Sequence, residues 1–483
     1  SGGPVETAEE AEVVAERIGY PFMIKATAGG GGRGIRRVRS RDEIADKLAS
    51  ARSEAASAFG DATVFIERAV MKARHIEVQM IADGHGTVWP VGVRDCTVQR
   101  RNQKIIEEAP SPALTPEQHR AVMEAAADLG RAAGYRNAGT VEFLFEPDTG
   151  DFWFMEVNAR LQVEHPITEL TTGADMVKLQ IDVASGHPLQ GDPPTTVGHA
   201  IEIRLNAEDP GTGFAPAPGE LTVLRFPFGP GVRVDSGVEE GDAIAPEFDS
   251  MIAKVMAYGS DRSEAVARLR RALQETTVVV RDGASNKSFV EWLLSTPEFH
   301  AGDFDTGWVD GLVESGPLVG SEVADAALVA AGIAAYDDAM DLELKRFHAS
   351  ANRGRPQIEQ DIGHTVGLRY GGNSYELDVA MLESDTYAVT IDGTTVQATI
   401  ADTGRLGQRI IMGPRSHRLL SLADGGTHYV EIDGLPHRIT PDEGGVVRSP
   451  APSVVVAIGV GPGDHVERGD RLAVVEAMKM ETQ

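Results

Sequence analysis

The 483-residue sequence contains a single cysteine, Cys96, so no internal disulfide framework holds it together and a reducing compartment suits it. As one small apolar side chain, Cys96 reads as a core residue before it reads as a nucleophile. Long apolar runs are also missing: no stretch approaches the ~20 residues that a membrane-spanning helix needs. Positive charge is scarce, with 45 Lys and Arg against 73 Asp and Glu and a formal net charge of −28. Such a surface repels nucleic acid and anionic lipid, which argues against both as partners. Any polyphosphate ligand must then be met by local cations and a divalent metal. A signal-peptide pattern is absent as well, and the cytoplasm is the expected location, with the mitochondrial matrix also compatible. The chain opens on Ser1 rather than Met and stops in mid-pattern at Gln483, so it reads as cut at both ends.

What is present is the composition of a folded protein, 42% apolar and regularly punctuated by Gly and Pro. At about 150 residues per domain the length implies three or four domains. Residues 6–18 read as a helix stopped by Gly19, and 21–25 as a short strand running into GGGGRG at 29–34. A second strand follows at 35–39, and SRDE at 40–43 reads as a capping box. From 63 to 158 the pattern is β-rich, interrupted by a helix near 115–133. An alanine-rich stretch at 322–348 reads as one long helix. Short alternating strands fill 365–440, with IDG hairpin turns at Asp392 and Asp433.

The glycine run matches GxGxxG only formally, because a dinucleotide fingerprint opens a helix and this run leads into a strand. Nor is it a Walker loop, whose lysine follows the glycines, whereas Lys25 precedes them. Two readings stay open: an ordinary flexible loop, or a hairpin tip whose N–H groups fold over phosphates while Lys25 reaches them. Further on, TVEFLFE at 140–146 and FWFMEVN at 152–158 are two strands around a turn. With a loop over 147–151, Glu142 stands opposite Glu156, and like charges so paired destabilise a sheet. A magnesium ion held by both carboxylates supplies a reason, with Asn158 as a third oxygen donor on the same face. If the chain stays extended, Glu156, Asn158, Arg160, Gln162 and Glu164 share that face, giving a metal site, an oxyanion anchor at Arg160 and a general base at Glu164. The competing reading, a solvated charged strand edge, fits poorly with the apolar alternate face of Trp153, Met155, Val157 and Val163.

These residues, with FIER at 65–68, Arg74 and His75, QRRNQKIIEE at 99–108, MEVNARLQVEH at 155–165 and IEIRLNAED at 201–209, resemble the biotin carboxylase family over residues 1 to 312. The resemblance implies an α+β multidomain chain. Its parts are an ATP-grasp lid at 1–69 and catalytic subdomain at 70–190, a biotin carboxylase C-terminal domain at 191–312, an antiparallel β-barrel bridging domain at 313–445, and the first half of a biotinyl/lipoyl-type β-barrel at 446–483. It also implies that Lys25, Gly31, Gly32 and His75 contact the ATP phosphates and ribose region, and Glu67, Arg68, Ala69 and Val70 the adenine. Glu142, Glu156 and Asn158 match magnesium or manganese ligands. Lys104, Arg160 and Val163 match the bicarbonate site, Glu164 its base, and Arg204 the residue facing the biotin ureido oxygen. His75, Lys104 and Arg204 also admit plain structural roles, since such side chains pair with carboxylates in ordinary cores.

Two departures stand out. Asn102 occupies a position where the family often has a ribose-contacting His, and a further N-terminal subdomain of about 100 residues is not in the sequence. Without that subdomain's ATP-contacting lysine, the chain as it stands is not expected to complete the reaction alone. At the other end, SPAP at 449–452, GDHVERG at 463–469 and VVEAMKME at 474–481 resemble a biotin carrier domain whose Lys479 receives biotin. APS at 451–453 departs from the usual MPG. A lipoyl carrier is the nearest rival.

The short segment between core and carrier resembles acyl-CoA carboxylase α chains rather than pyruvate carboxylases. The implied partners are a carboxyltransferase, separate or fused, that carboxylates an acyl-CoA; a biotin protein ligase; and further copies of the chain. Related methylcrotonyl-CoA, geranyl-CoA and urea carboxylases remain alternatives for the acceptor. An ATP-grasp carboxylate–amine ligase and a non-catalytic biotin carrier are the rival classes.

Overall fold

The computed structural model describes residues 3–28, 35–281, 283–315, 323–351, 363–403, 407–424, 427–433, 435–442, 454–461, 465–466, 470–477 and 480–482. Gly31, Gly32 and Lys479 therefore lie outside the described residues, as does Gly434 of the second IDG turn. Two compact units result. The first comprises residues 1–200 and 301–311, the second residues 201–300 and 312–483.

In the first unit, β1 (Pro4–Val5), β2 (Phe22–Ala26), β3 (Ile35–Val38) and β4 (Val64–Arg68) form a sheet in the order β1-β4-β2-β3. Helices α1 (Ala8–Ile18) and α2 (Ile44–Phe59) cover it, burying Ala11, Ala15, Leu48 and Ala51 against Phe22, Ile24, Val64 and Ile66. Thr7 and Glu10 form a reciprocal capping box at α1. The box expected at Ser40 is not made. A 3-10 turn, Arg41–Glu43, intervenes, Ser40 caps nothing, and Glu43 accepts the N–H of Arg39 instead. The hairpin of β2 and β3 does form, with Lys25 opposite Ile35.

The unit's second sheet supports the chemistry. Its strands β5 (Arg74–Ala82), β6 (Val88–Arg100), β7 (Gln103–Ala109), β8 (Asn137–Glu146) and β9 (Asp151–Asn158) run antiparallel in the order β7-β6-β5-β8-β9. Helix α3 (Pro116–Ala132) brings Val122 and Ala126 onto Ile76, Val78, Val93, Val141 and Phe143. The opposite face is left for polar side chains. Residues 301–311 return to this unit, where Arg74 donates to the carbonyls of Gly302 and Phe304 at 2.9 Å each.

In the second unit, Val232–Ser236 pairs with Met251–Gly259, and Leu221–Arg225 with Thr277–Val280. Eight strands between His364 and Pro441 close into a barrel, the last pairing with the first at Leu368 and Arg369. The long helix Ala324–Ala351 packs its first half into the barrel core, so it fills the barrel instead of merely preceding it. Small residues permit that approach: a Cβ on Gly332 would meet Leu377 Cδ2 at 2.6 Å. Beyond the barrel, Val454–Ile458, Ala473–Ala477 and Met480–Thr482 form a three-stranded sheet, in which Ala477 is the register partner of Met480.

Candidate active site

Alternation along β5 sends Ile76, Val78 and Met80 under α3 and leaves His75, Glu77 and Gln79 on the other face. Every one of the strand's nine residues is nevertheless buried, so the polar face lies inside the protein. Register then builds a row across four strands: Arg94 on β6 opposes Glu77, Glu77 opposes Glu142 on β8, and Glu142 opposes Glu156 on β9. The row is one cation followed by three carboxylates. Unrelieved, it would be strongly destabilising.

Cations relieve most of it. Arg94 donates to Glu77 Oε1 at 2.6 Å, and Lys104 to Glu77 Oε2 at 2.6 Å and Glu142 Oε1 at 3.3 Å. Lys104 also pairs closely with Glu164, and His75 Nε2 lies 3.2 Å from Glu142 Oε2. Amides complete the Glu142 shell, with Asn158 Nδ2 at 3.0 Å and Gln162 Nε2 at 2.9 Å. Burial alone would push the Glu77 carboxyl up, but Arg94 and Lys104 outweigh it and hold it down at about 2. The same contest at Glu142, with burial opposed by His75 and Lys104, leaves its carboxyl well below the ordinary range. Lys104 is driven the other way: desolvation favours its neutral amine, and the surrounding acids overcome that and raise it well above the usual lysine value. Burial and Glu77 keep the Cys96 thiol protonated, which suits the core reading.

Glu156 stands at the open end of the row, half-buried, with no hydrogen-bonding or ion-pair partner among the described residues. Register sets Glu156 opposite Glu142, and Asn158 Nδ2 lies 3.0 Å from Glu142 Oε1, so two carboxylates and an amide are neighbours there, donor types that suit magnesium or manganese. His75, Glu77 and Glu142 also bring ligand atoms within 4.8 Å of one another.

Several expectations need correction. The β8–β9 loop is one residue shorter than expected, since Glu146 pairs with Asp151. A bulge at Met155 restores the offset and brings Glu142 opposite Glu156 after all. Residues beyond Asn158 do not stay extended. The chain turns, and Glu164 is the N-cap of helix α4 (His165–Thr172) with φ −82° and ψ 7°. Gln162 and Glu164 still reach the site, by this turn rather than by strand periodicity, while exposed Arg160 donates to the Leu161 carbonyl at 3.3 Å. β9 is an edge strand, and Trp153, expected to face a core, is 43% exposed. Its indole lies 5.4 Å below the Arg68 guanidinium.

Elsewhere, Lys25 pairs with Glu67, and Arg68 with Glu146 at 2.8 Å. Ala69 is buried and Val70 half-buried just past β4, and Val163 lies in the turn before α4. Asn102 and Arg101 are the tip of the β6–β7 hairpin, both with positive φ (64° and 48°), a conformation asparagine tolerates well. Arg204 lies on the strand His199–Asn206 of the second unit, where its carbonyl accepts from Asn286 Nδ2 at 3.0 Å. Sequence reasoning missed Glu77 and Arg94. The signal was there in the polar alternation of His75, Glu77 and Gln79.

Residues 1–191 match the family described as the carbamoyl-phosphate synthase L chain ATP-binding domain, which makes this sheet part of an ATP-dependent ligase. Residues 202–311 match the biotin carboxylase C-terminal domain, and 439–483 the biotin-requiring enzyme domain. The human mitochondrial propionyl-CoA carboxylase alpha chain is 38% identical across 99% of this chain and 69% of its own length. Biotin carboxylase of a Nostoc species is 46% identical over 64% of this chain and 69% of its own. Among solved structures, the biotin carboxylase domain dimer of Hydrogenobacter thermophilus 2-oxoglutarate carboxylase, with MgADP, ADP and bicarbonate, aligns with a TM-score of 0.62. That match has 39% identity and covers 64% of this chain and 68% of the other. The chain belongs to the biotin-dependent carboxylases, as a biotin carboxylase joined to a biotin carrier segment. Its reaction is the ATP-dependent carboxylation of biotin, and its cofactors are biotin, ATP and magnesium. No helix among the described residues is long and apolar enough to cross a membrane.

Proposed function

We propose that Glu142, Glu156 and Asn158 hold the metal of MgATP, and that bicarbonate binds beside them between Lys104, Arg160 and Val163. The carrying observation is the row of three buried or half-buried carboxylates whose last member, Glu156, has no partner among the described residues. A divalent ion there neutralises the row and the phosphates together. Lys25, freed from Glu67, serves the phosphates with Gly31, Gly32 and His75. Glu67, Arg68, Ala69 and Val70 border the adenine.

Glu164, paired with Lys104, takes the bicarbonate proton. The bicarbonate oxygen attacks the γ-phosphorus, ADP leaves, and carboxyphosphate forms. Its breakdown gives carbon dioxide and phosphate. Phosphate removes the N1′ proton of biotin, whose ureido oxygen faces Arg204, and the resulting enolate is carboxylated. Lys104 and Arg160 match the growing negative charge with fixed positive charge. Asn102, where the family often has a ribose-contacting histidine, holds the left-handed tip of the hairpin that carries Lys104.

The domain division proposed is 1–69, 70–190, 191–312, 313–445 and 446–483, with biotin placed on Lys479 by a biotin protein ligase. The carboxybiotin serves a carboxyltransferase, on another subunit or in a longer form of the chain, that carboxylates an acyl-CoA. Support for that acceptor comes from similarity to a propionyl-CoA carboxylase alpha chain along nearly the whole sequence, bridging barrel included. Homo-oligomerisation and a cytoplasmic or mitochondrial-matrix location complete the proposal. Streptavidin blotting of wild type and Lys479→Ala tests the carrier: the signal is expected to vanish, and one that survives defeats the assignment. Bicarbonate-dependent ATP hydrolysis by the full-length protein, lost in Glu164→Gln, tests the site.

A further inference from the structure

We propose that Arg94 is a positioning residue of the carboxylase site, fixing through two arms the groups that meet the metal and the bicarbonate. This rests on the site reading above. Arg94 is fully buried, and its guanidinium spends all five N–H donors on five different side chains. Nε donates to Glu77 Oε1 at 2.6 Å. Nη1 donates to Gln79 Oε1 at 2.7 Å and Thr168 Oγ1 at 3.0 Å, and Nη2 to Thr140 Oγ1 at 3.2 Å and Gln162 Oε1 at 3.1 Å.

The first arm runs through Gln162. Because its carbonyl oxygen accepts from Arg94, its Nε2 must face Glu142, to which it donates at 2.9 Å. A flipped amide would set N–H against guanidinium and oxygen against carboxylate, losing both hydrogen bonds. The second arm runs through Glu77. Arg94 takes one of its oxygens, which leaves Oε2 to hold Lys104 at 2.6 Å. Arg94 thereby sets the direction of a donor to the metal carboxylate and the place of the lysine that meets bicarbonate, while touching neither substrate. Lysine cannot do this, having three donors on a flexible stem rather than a fixed planar fork.

The test is bicarbonate-dependent ATP hydrolysis by the full-length protein carrying Arg94→Lys, Thr168→Val or Glu164→Gln, with kcat, both KM values and the unfolding temperature. Arg94→Lys is expected to lower kcat/KM for bicarbonate by about 30-fold or more, through the displaced Lys104, and to raise KM for MgATP by a smaller factor, about three- to fivefold, through Gln162 and Glu142. Thr168→Val removes one anchor of the fork without changing charge, and a loss of about two- to fivefold in kcat/KM for bicarbonate is expected, with a smaller change, under about twofold, in KM for MgATP. Where Arg94→Lys does not fold, Thr168→Val decides. The proposal is overturned if the folded variants keep wild-type kcat/KM for bicarbonate, or if KM for MgATP rises by as large a factor as kcat/KM for bicarbonate falls, as general damage to the sheet would produce. If Glu164→Gln abolishes turnover while the Arg94 and Thr168 variants behave as wild type, only the positioning role fails. If Glu164→Gln remains active, the site reading itself fails.

Discussion

The carboxylase sheet and the bridging barrel are both antiparallel β-structures, yet they bury opposite kinds of side chain. Barrel strands alternate buried and exposed residues, as in His364–Tyr370, and the interior is apolar and filled by one helix. In β5 all nine residues are buried, and one face of that strand carries His75, Glu77 and Gln79. The barrel gains stability by removing hydrocarbon from water. The carboxylase sheet spends some of that gain on a charged row that is tolerable because Glu77 and Glu142 are matched by cations and amides and, in the proposed site, Glu156 by a metal.

The difference can be probed by breaking each kind of burial in turn. The largest stability loss is expected at Lys287, whose fully buried ammonium meets Glu431 at 3.0 Å beside the barrel. Lys287→Met strands a buried carboxylate and should cost about 3–5 kcal/mol by chemical denaturation, whereas Lys287→Met with Glu431→Leu should recover most of it. Leu377→Ala opens a cavity against the helix inside the barrel and should cost about 2–5 kcal/mol, leaving bicarbonate-dependent ATP hydrolysis unchanged below the melting range.

Acid sharpens the contrast from the other side. The Glu77 carboxyl titrates at about 2 when folded and near 4.5 when free, so its contribution is present above 4.5 and lost as pH falls toward 2. Denaturation midpoints should therefore drop across that window, and Glu77→Gln should flatten part of the drop. The smallest effect belongs to Asn102, where the left-handed turn makes Asn102→Val cost about 1–2 kcal/mol and Asn102→Gly almost nothing, as thermal melts would show.

The same contrast explains how much was legible in the sequence. Alternation marked the barrel hairpins and the IDG turn at Asp392 and Gly393, both with positive φ, because one face of each strand is wet and the other dry. In β5 the same alternation separates two buried faces, so neither Glu77 nor Arg94 drew notice. Glu142 and Glu156 were correctly paired through two offsetting details, a shorter loop and a bulge, that periodicity does not encode. Glu164 reaches Lys104 because the chain turns into α4, a tertiary outcome the strand rule misdescribed.

A manganese titration followed by electron paramagnetic resonance, with ADP present and the full-length protein as sample, tests most directly the proposal that the carboxylate row binds a metal. Glu156→Gln should weaken manganese binding by about tenfold or more while leaving the fold intact. Undiminished affinity in that variant would mean that the open carboxylate opposite Glu142 is not there for a metal.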